Sequence, residues 1–375
     1  MTESIVVTAM SAQTALGGLE FTWRSLLNAQ SGIRSLQPYL ELPMLPMAML
    51  SEQPCALEEL VQRLVKDIIE DSGLPLPWVD CPIVVGSSRG NQRVWEALKA
   101  EGSLQIRECW LDSLPNRAAT LSAYLIGSRS EVQAPMAACS TGVVAIAQGL
   151  RLLELGICDR VLVGAVESPI TRLTLAGFQQ MGALAKTGAY PFDRDREGFV
   201  LGEGGALLLL ERESIARDRG AKIYGKVLGF GMTADAYHLS APEPTGEFAK
   251  RAIDDCLTRS QLVAKQIGYI HAHGTATRLN DQRESELMTQ YFPQAAVSST
   301  KGATGHTLGA SGAIGAVLCL KALSTEHLPP CVGLRHPENE AIDWVRQARH
   351  SAVNAALCLS FGFGGQNGAI ALGKA

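Results

Sequence analysis

The feature that most constrains the fold is a pattern that occurs twice: a short apolar strand, a helix of small and apolar residues, and another strand. A helix that is apolar on nearly every side is a buried helix. The pattern therefore predicts two similar α/β halves, residues 1–215 and 216–375, each with a mixed sheet and a buried helix. The first copy is predicted at Ala134–Ala138, Ser140–Leu155 and Arg160–Glu167, and the second at Val297–Thr300, Gly309–Leu323, Leu357–Phe361 and Gly368–Leu372.

Apolar periodicity and turn residues predict the remaining elements. Gly32 is expected to end the first helix. The proline-rich stretch Gln37–Pro54 has no clean period and is predicted to be a loop. Strands are predicted at Ser4–Met10, Pro82–Gly86, Gly204–Glu211, Lys222–Met232 and Tyr269–His273, and helices at Leu19–Ala29, Leu57–Asp71 and Asp281–Tyr291.

Composition narrows the class of protein. Among 375 residues, 46% are hydrophobic and 19% are charged, which favours a large core and a buried interface with another subunit. A net charge of −4 does not point to nucleic acid or to an anionic membrane surface. Nine cysteines without a C-x-x-C pair indicate free thiols in a reducing compartment, so a cytoplasmic protein without a structural metal is expected. No signal peptide and no uncharged apolar run long enough for a membrane span is found.

Cys139 lies in the segment A-A-C-S-T-G, where a predicted strand runs into a predicted helix. Free N–H groups at a helix N-terminus favour an anion, so this position predicts a stabilised thiolate with a lowered pKa. The alternative is an inert buried cysteine, because free cysteine is among the most buried residue types. The position alone leaves both interpretations open.

Two histidines end or precede predicted elements in the second half. His273 ends a strand and opens H-G-T-A-T, at the end of the sheet where sites usually lie. His306 follows Lys301 in S-T-K-G-A-T-G-H, just before the second buried helix. Taken singly, each residue also has a structural explanation. His273 would be a hydrogen-bonded core histidine, His306 a helix cap and Lys301 a surface lysine. Phe361 and Phe363, in S-F-G-F-G-G-Q-N-G, are ordinary aromatic residues beside a glycine turn when considered alone.

The set of segments is more specific than any member. Cys139, His273, His306 and the glycine turn with Phe363, in this order, strongly resemble the β-ketoacyl-acyl-carrier-protein synthases, the Cys-His-His branch of the thiolase-fold superfamily. The resemblance covers essentially the whole chain. It implies an α/β thiolase-like fold layered αβαβα and a condensing acyltransferase of fatty-acid or polyketide-type biosynthesis.

The resemblance also implies roles for individual residues. Cys139 would be the nucleophile that takes an acyl group, and His273 and His306 would serve the decarboxylation of a malonyl thioester. Lys301 and Glu284 match charged residues of the site, and the backbone N–H of Phe363 would share an oxyanion hole with that of Cys139. The residues implied to contact substrate are Thr275, Thr277, Phe178, Ser240, Phe361 and Arg89. Substrates would arrive on the phosphopantetheine of an acyl-carrier protein, with no metal or other cofactor, and the enzyme would be a homodimer or a heterodimer with a related subunit.

The chain departs from the family pattern at several places. Residues 37–57 hold no Lys or Arg where family members carry a basic patch for carrier docking, and Gly182 lies near the place of a family arginine. Arg89 lies about where many members carry an apolar residue that lines the acyl pocket near the dimer contact, and a buried charge there would need a partner. Gly315 lies where many members carry a glutamate that pairs with the lysine. Gln366 replaces the usual threonine of the last motif.

The same residues bear on four alternatives to an active synthase. A non-condensing partner such as a chain-length factor usually lacks the nucleophile, which is present here. Thiolases carry a second cysteine where Phe363 lies, and acetyl-CoA-primed synthases use Cys-His-Asn rather than a second histidine. A cysteine hydrolase would share the nucleophile, but no water-activating arrangement is evident.

Overall fold

Long apolar segments form a mixed sheet that bends around two central helices. The computed structural model describes residues 3–101 and 110–375. The strands are β1 Ile5–Thr14, β2 Gly17–Gly18, β3 Arg34–Leu36, β4 Leu45–Ala48, β5 Ile83–Gly86, β6 Val132–Gln133, β7 Arg160–Glu167, β8 Leu201–Gly202, β9 Gly204–Arg212, β10 Gly225–Ala234, β11 Tyr269–His271, β12 Ala296–Ser298, β13 His327–Leu328, β14 Asp343–Trp344, β15 Arg349–His350, β16 Ala355–Gly362 and β17 Gln366–Gly373. The helices are α1 Leu19–Leu27, α2 Leu57–Ser72, α3 Gln92–Glu101, α4 Arg117–Ile126, α5 Thr141–Glu154, α6 Arg172–Gln180, α7 Glu213–Asp218, α8 Glu247–Arg259, α9 Arg278–Tyr291, α10 Lys301–Thr304 and α11 Ser311–Thr325.

The two halves repeat the same strand pairing. In the first half β5 runs parallel to β7, which is antiparallel to β9, and β9 is antiparallel to β1. In the second half β11 runs parallel to β16, which is antiparallel to β17, and β17 is antiparallel to β10. Strands β1 and β10 join the halves edge to edge. The prediction of two similar α/β halves is confirmed, while the boundary at residue 215 stays a prediction.

The layers follow from which face of each strand is apolar. Alternate residues of β7, such as Val161 and Val163, face the two central helices α5 and α11, and Leu162 faces the outer helices α2 and α4. The second half has the same order, with helices α8 and α9 on its outer face. A side chain at Gly142 of α5 would collide with the backbone of Ala313 of α11, so glycine permits this close helix contact. The result is the αβαβα layering that the resemblance implied.

Several local predictions were wrong. Residues 45–48, predicted as loop, form strand β4 between β3 and β8, because β4 gains partners that are distant in sequence. Residues 134–138 are not a strand; the strand there is Val132–Gln133, and Ala137 makes only an isolated bridge to Cys139. The first helix ends at Leu27 rather than at Gly32.

One helical stretch in the described residues, Leu308–Thr325, is long and apolar enough to cross a membrane by length and composition. Eighty-three per cent of it is buried inside the protein, as expected for a central helix.

Candidate active site

Cys139 lies in a tight turn that leads into α5. Ala138, directly before it, has a φ of +46°, a region that non-glycine residues rarely adopt. The side chain of Thr141 holds this turn, because its Oγ1 accepts from the N–H of Ala137 at 2.9 Å and donates to the carbonyl of Ala138 at 2.7 Å. The hydroxyl of Ser360 donates to the carbonyl of Cys139 at 2.8 Å. Backbone strain held by surrounding bonds is typical of functional sites.

The predicted lowering of the Cys139 pKa was wrong. Burial raises the pKa of this thiol to about 11, and the charge of Lys301 and the backbone N–H of Phe363 offset only part of that rise. Desolvation penalises the charged form of a buried group more than the helix end stabilises it. Cys139 is therefore a thiol at neutral pH, and its proton must leave during acyl transfer.

His273 follows strand β11 by two residues, and its backbone is fixed by Glu284 of α9. The Glu284 carboxylate accepts from the N–H of His273 at 2.6 Å and from the N–H of Gly274 at 2.7 Å. Burial raises the pKa of Glu284 to about 7, although these hydrogen bonds act to lower it. Glu284 therefore holds the loop from behind and does not face the cavity.

His306 lies between α10 and α11, and Ser311 fixes its ring. The Nδ1 of His306 and the Oγ of Ser311 are 2.9 Å apart, and the same Oγ lies 3.1 Å from the Oγ1 of Thr307. When the Thr307 hydroxyl donates to the Oγ of Ser311, the Ser311 hydroxyl is free to donate to the Nδ1 of His306. Nδ1 is then an acceptor, so the ring proton of His306 lies on Nε2.

These three predicted residues converge. A nitrogen of each histidine and the Sγ of Cys139 all lie within 4.8 Å of one another, and all three side chains are buried. The imidazole rings meet edge to face, with centroids 5.4 Å apart. Burial, followed by the charge of Lys301, holds the pKa of both histidines well below the usual range, so both rings are neutral at pH 7. Within the described residues, the buried Nδ1 of His273 has no hydrogen-bond partner.

Lys301 supports the site from the side. Its Nζ donates to the backbone carbonyl of His273, and the side chain is buried. Burial lowers the pKa of Lys301, and the charge of Glu284 opposes that change. Lys301 therefore fixes the His273 backbone and contributes positive charge beside Cys139.

The space at Gly315, where the family glutamate would lie, is filled by other side chains. A Cβ built on Gly315 would lie 2.8 Å from the Sγ of Cys358 and 2.8 Å from the Nδ1 of His271. The Nε2 of His271 contacts the Oγ1 of Thr300, the residue before Lys301, at 3.0 Å. Hydrogen bonds from Cys319 and then His271 lower the pKa of Cys358. The buried side chains of His271 and Cys358 thus lie where a side chain at position 315 would project.

A cavity of about 440 Å³ leads from the surface to Cys139, His273 and His306. Of the residues predicted to contact substrate or shape the site, six line this cavity: Thr275, Thr277, Phe178, Ser240, Phe361 and Phe363. Thr275 and Thr277 are joined by a hydrogen bond of 2.8 Å between their hydroxyls. Phe178 packs against Phe363, with ring centroids 6.3 Å apart.

Arg89 is not among the residues that line the cavity of the single chain, and its burial at a dimer contact stays a prediction. In this chain Arg89 is exposed, and its guanidinium lies 5.4 Å from the centroid of the Phe178 ring. A cation over an aromatic face is a favourable contact that needs no carboxylate. Arg89 therefore lies behind the cavity wall formed by Phe178.

Ser311 and Glu167 are among the residues at the site that the sequence analysis did not identify. Ser311 follows His306 by five residues and begins helix α11, and this spacing could have identified it. Serines at helix starts are common, however, so the spacing alone is not specific. Glu167, the last residue of β7, is fully buried and accepts from the Ser87 hydroxyl at 3.1 Å and from the N–H of Ser88. Burial raises its pKa. In the sequence, Glu167 could have been identified as a charged residue at the end of an otherwise apolar strand.

The comparison with protein families agrees with this geometry. Residues 55–216 match the N-terminal domain model of β-ketoacyl synthase, and residues 224–335 match the C-terminal domain model. Together these matches cover more than two thirds of the chain. The chain belongs to the β-ketoacyl synthase family. The predicted resemblance is thereby confirmed.

Named relatives place the chain within this family. It is 41% identical over 273 residues to the 3-oxoacyl-[acyl-carrier-protein] synthase 2 of Synechocystis, which covers 70% of this chain and 66% of that protein. It is 32% identical to a putative mitochondrial 3-oxoacyl-[acyl-carrier-protein] synthase of Schizosaccharomyces pombe over 99% of both chains. A solved ishigamide ketosynthase/chain length factor superposes with a TM-score of 0.92 at 25% identity over the full length of both chains. The β-ketoacyl synthase architecture therefore spans the whole molecule.

Proposed function

We propose that this chain catalyses the decarboxylative condensation of an acyl thioester with malonyl-acyl-carrier protein, giving a 3-oxoacyl-acyl-carrier protein in fatty-acid or polyketide-type biosynthesis. The observation that carries this proposal is the cluster of Cys139, His273 and His306, whose reactive atoms lie within 4.8 Å of one another at the buried end of the cavity. A nucleophile and two neutral donors in one desolvated place suit acyl transfer followed by enolate formation.

In the first half-reaction the Sγ of Cys139 attacks the carbonyl carbon of the incoming acyl thioester. The new bond joins that carbon to Cys139, the bond to the carrier sulfur breaks, and the proton of the Cys139 thiol ends on the released carrier thiol. The N–H groups of Cys139 and Phe363 would hold the oxyanion of the tetrahedral intermediate. The contact of the Phe363 N–H with Cys139 supports this role.

In the second half-reaction a malonyl thioester loses CO2. The electron pair of the broken C–C bond forms an enolate, whose oxygen receives hydrogen bonds from the N–H groups of His273 and His306. The enolate carbon attacks the acyl-Cys139 carbonyl and releases the Cys139 thiolate, which then takes a proton from solvent. Because both histidines are neutral at pH 7, they can donate hydrogen bonds without giving up a proton.

We propose that two such subunits pair along the free edge of β6, which ends the order of strands in the sheet. Large apolar side chains near this edge are exposed in the single chain: Val132 is 40%, Met136 57% and Tyr124 81% accessible. Such a patch favours burial against another protein. A solved ketosynthase from Xenorhabdus doucetiae is in complex with its chain length factor, which supports a related subunit as the alternative partner. Light scattering on the purified chain separates a homodimer from a monomer that awaits a related subunit.

We also propose that the protein works in a reducing compartment such as the cytoplasm. All eight cysteines in the described residues are free thiols, and a nucleophilic Cys139 needs a reduced side chain.

The test of the function is a condensation assay with purified acyl- and malonyl-carrier proteins, in which the 3-oxoacyl product and CO2 are measured. Both products are expected from the native chain and from Cys158→Ala, which removes a half-buried thiol outside the site. Cys139→Ala should make no condensed product. A native chain that forms none by itself, but supports condensation by an added synthase subunit, would favour the chain-length-factor alternative.

A further inference from the structure

The wall of the active-site cavity presents a graded series of side chains from its buried end to its rim. His273 is 2% and Thr275 5% exposed, Thr277 is half-buried, and Arg278 is exposed. Next to them Leu279 is 59% exposed, and all five residues line the same cavity. A single stretch of chain therefore runs from the reacting centre to solvent.

The outer end of this stretch is held in place by a buried arginine. The guanidinium of Arg196 is 4% exposed and donates to the backbone carbonyl of Arg278 at 3.1 Å and to that of Thr277 at 3.4 Å. Its charge is balanced by Glu338 at 2.5 Å. The backbone of Arg278 is thus fixed, while its side chain projects at the rim of the cavity.

The guanidinium of Arg278 has no carboxylate partner among the described residues. Two carboxylates also line the cavity. That of Glu197 accepts from the N–H groups of Lys186 and Thr187 and from the Thr187 hydroxyl. That of Asp235 accepts from the side-chain amide of Asn367 at 2.6 Å and from the N–H of Glu243 at 3.0 Å. The Thr187 and Lys186 contacts hold the pKa of Glu197 below its usual value, although burial opposes them. An uncommitted cation therefore remains at the mouth of the cavity.

We propose that Arg278 binds the phosphodiester of the phosphopantetheine arm that delivers the acyl group, with Leu279 against the gem-dimethyl segment of the arm. This inference rests on the proposed function. From the buried end outward, the thioester lies at His273, the amides at Thr275 and Thr277, and the anionic phosphate at Arg278, while the exposed Leu279 beside Arg278 offers an apolar surface to the gem-dimethyl segment. A guanidinium is well suited to phosphate because its planar N–H groups bind two oxygens together.

Arg278 therefore increases the efficiency of Cys139 loading only when the donor carries a phosphate. Loading of Cys139 from an acyl-phosphopantetheine should be about tenfold more efficient than loading from the same acyl-pantetheine, the size expected of one charge-assisted contact near solvent. High salt should reduce this preference, because exposed charges are screened.

The experiment measures kcat/KM for acylation of Cys139 from three donors: acyl-phosphopantetheine, acyl-pantetheine and acyl-N-acetylcysteamine. In Arg278→Ala the preference for the phosphorylated donor should fall to about one, while loading from the two neutral donors stays at the native rate. Arg278→Lys should keep part of the preference, because it keeps the charge. Arg251→Ala, an exposed arginine on helix α8 that does not line the cavity, is the matched control and should behave as the native chain.

Two results would overturn the inference. One is equal loading of the native chain from phosphorylated and unphosphorylated donors. The other is an equal loss with all three donors in Arg278→Ala, which would indicate a structural role. Absence of acylation from every donor in the native chain would instead refute the proposed function, and this inference with it.

Discussion

Replacement of Gly315 by alanine has two opposing effects on the free energy of unfolding. In a helix interior, alanine is about 1 kcal/mol more favourable than glycine. At Gly315, however, the added Cβ would lie 2.8 Å from both the Sγ of Cys358 and the Nδ1 of His271. Overpacking a filled core costs about 1–3 kcal/mol, so the contacts outweigh the gain in helix propensity and the net effect is destabilisation of up to about 2 kcal/mol.

Gly177 of helix α6 provides the matched control, because nothing in the described structure lies within 4 Å of a Cβ built there. Gly177→Ala should raise the midpoint of urea-induced unfolding, and Gly315→Ala should lower it. The Gly315→Ala variant should also lose condensation activity, because displaced His271 no longer holds Thr300 beside Lys301. Stabilisation by both substitutions would refute the account of how the missing glutamate is replaced.

Three further predictions concern the chemistry of the site. His273→Ala and His306→Ala should each slow malonyl decarboxylation by about 10²–10³, the usual effect of one lost oxyanion donor, while acyl transfer to Cys139 persists; equal loss of both half-reactions would contradict separate roles. Both imidazoles should stay neutral from pH 8 down to 6.5 in an NMR titration of the histidine ring nitrogens, because burial and the Lys301 charge hold the pKa of both histidines well below 6.5; ring protonation centred near pH 6.5 would contradict neutral buried donors. Ser311→Ala should lower the decarboxylation rate and leave acyl loading intact, because Nδ1 of His306 loses the partner that directs its proton to Nε2, and an unchanged rate would refute that assignment.

The pattern of apolar residues correctly predicts the buried strands and helices at the centre of the fold, such as β7 and α5. Strand β7 was predicted at Arg160–Glu167 and has those bounds in the structure, because burial on both faces leaves a continuous apolar run. Central helix α5 was predicted within one residue at each end, since small residues on every side identify a buried helix. Strand β4 was missed because Leu45–Ala48 includes a proline and takes its partners from residues 34–36 and 201–202, which local sequence does not reveal.

The members of the site were predicted through the family resemblance, whereas their electrostatics were not. Position at a helix N-terminus suggested a thiolate at Cys139, but burial dominates its pKa, and burial is a property of the tertiary structure. Arg89 lies over Phe178 in the single chain and does not line the cavity, a position that the local sequence does not reveal. The replacement for the glutamate at Gly315 involves His271 and Cys358 from two different strands, so no local motif contains it.

The most direct test of the central claim is intact-mass measurement of the protein after mixing with acyl-carrier proteins of several chain lengths. The account predicts a single adduct with the mass of the acyl group, present in the native chain and in Cys158→Ala and absent in Cys139→Ala. An adduct that persists in Cys139→Ala, or a native chain that forms none with any donor, would contradict Cys139 as the acyl-carrying nucleophile.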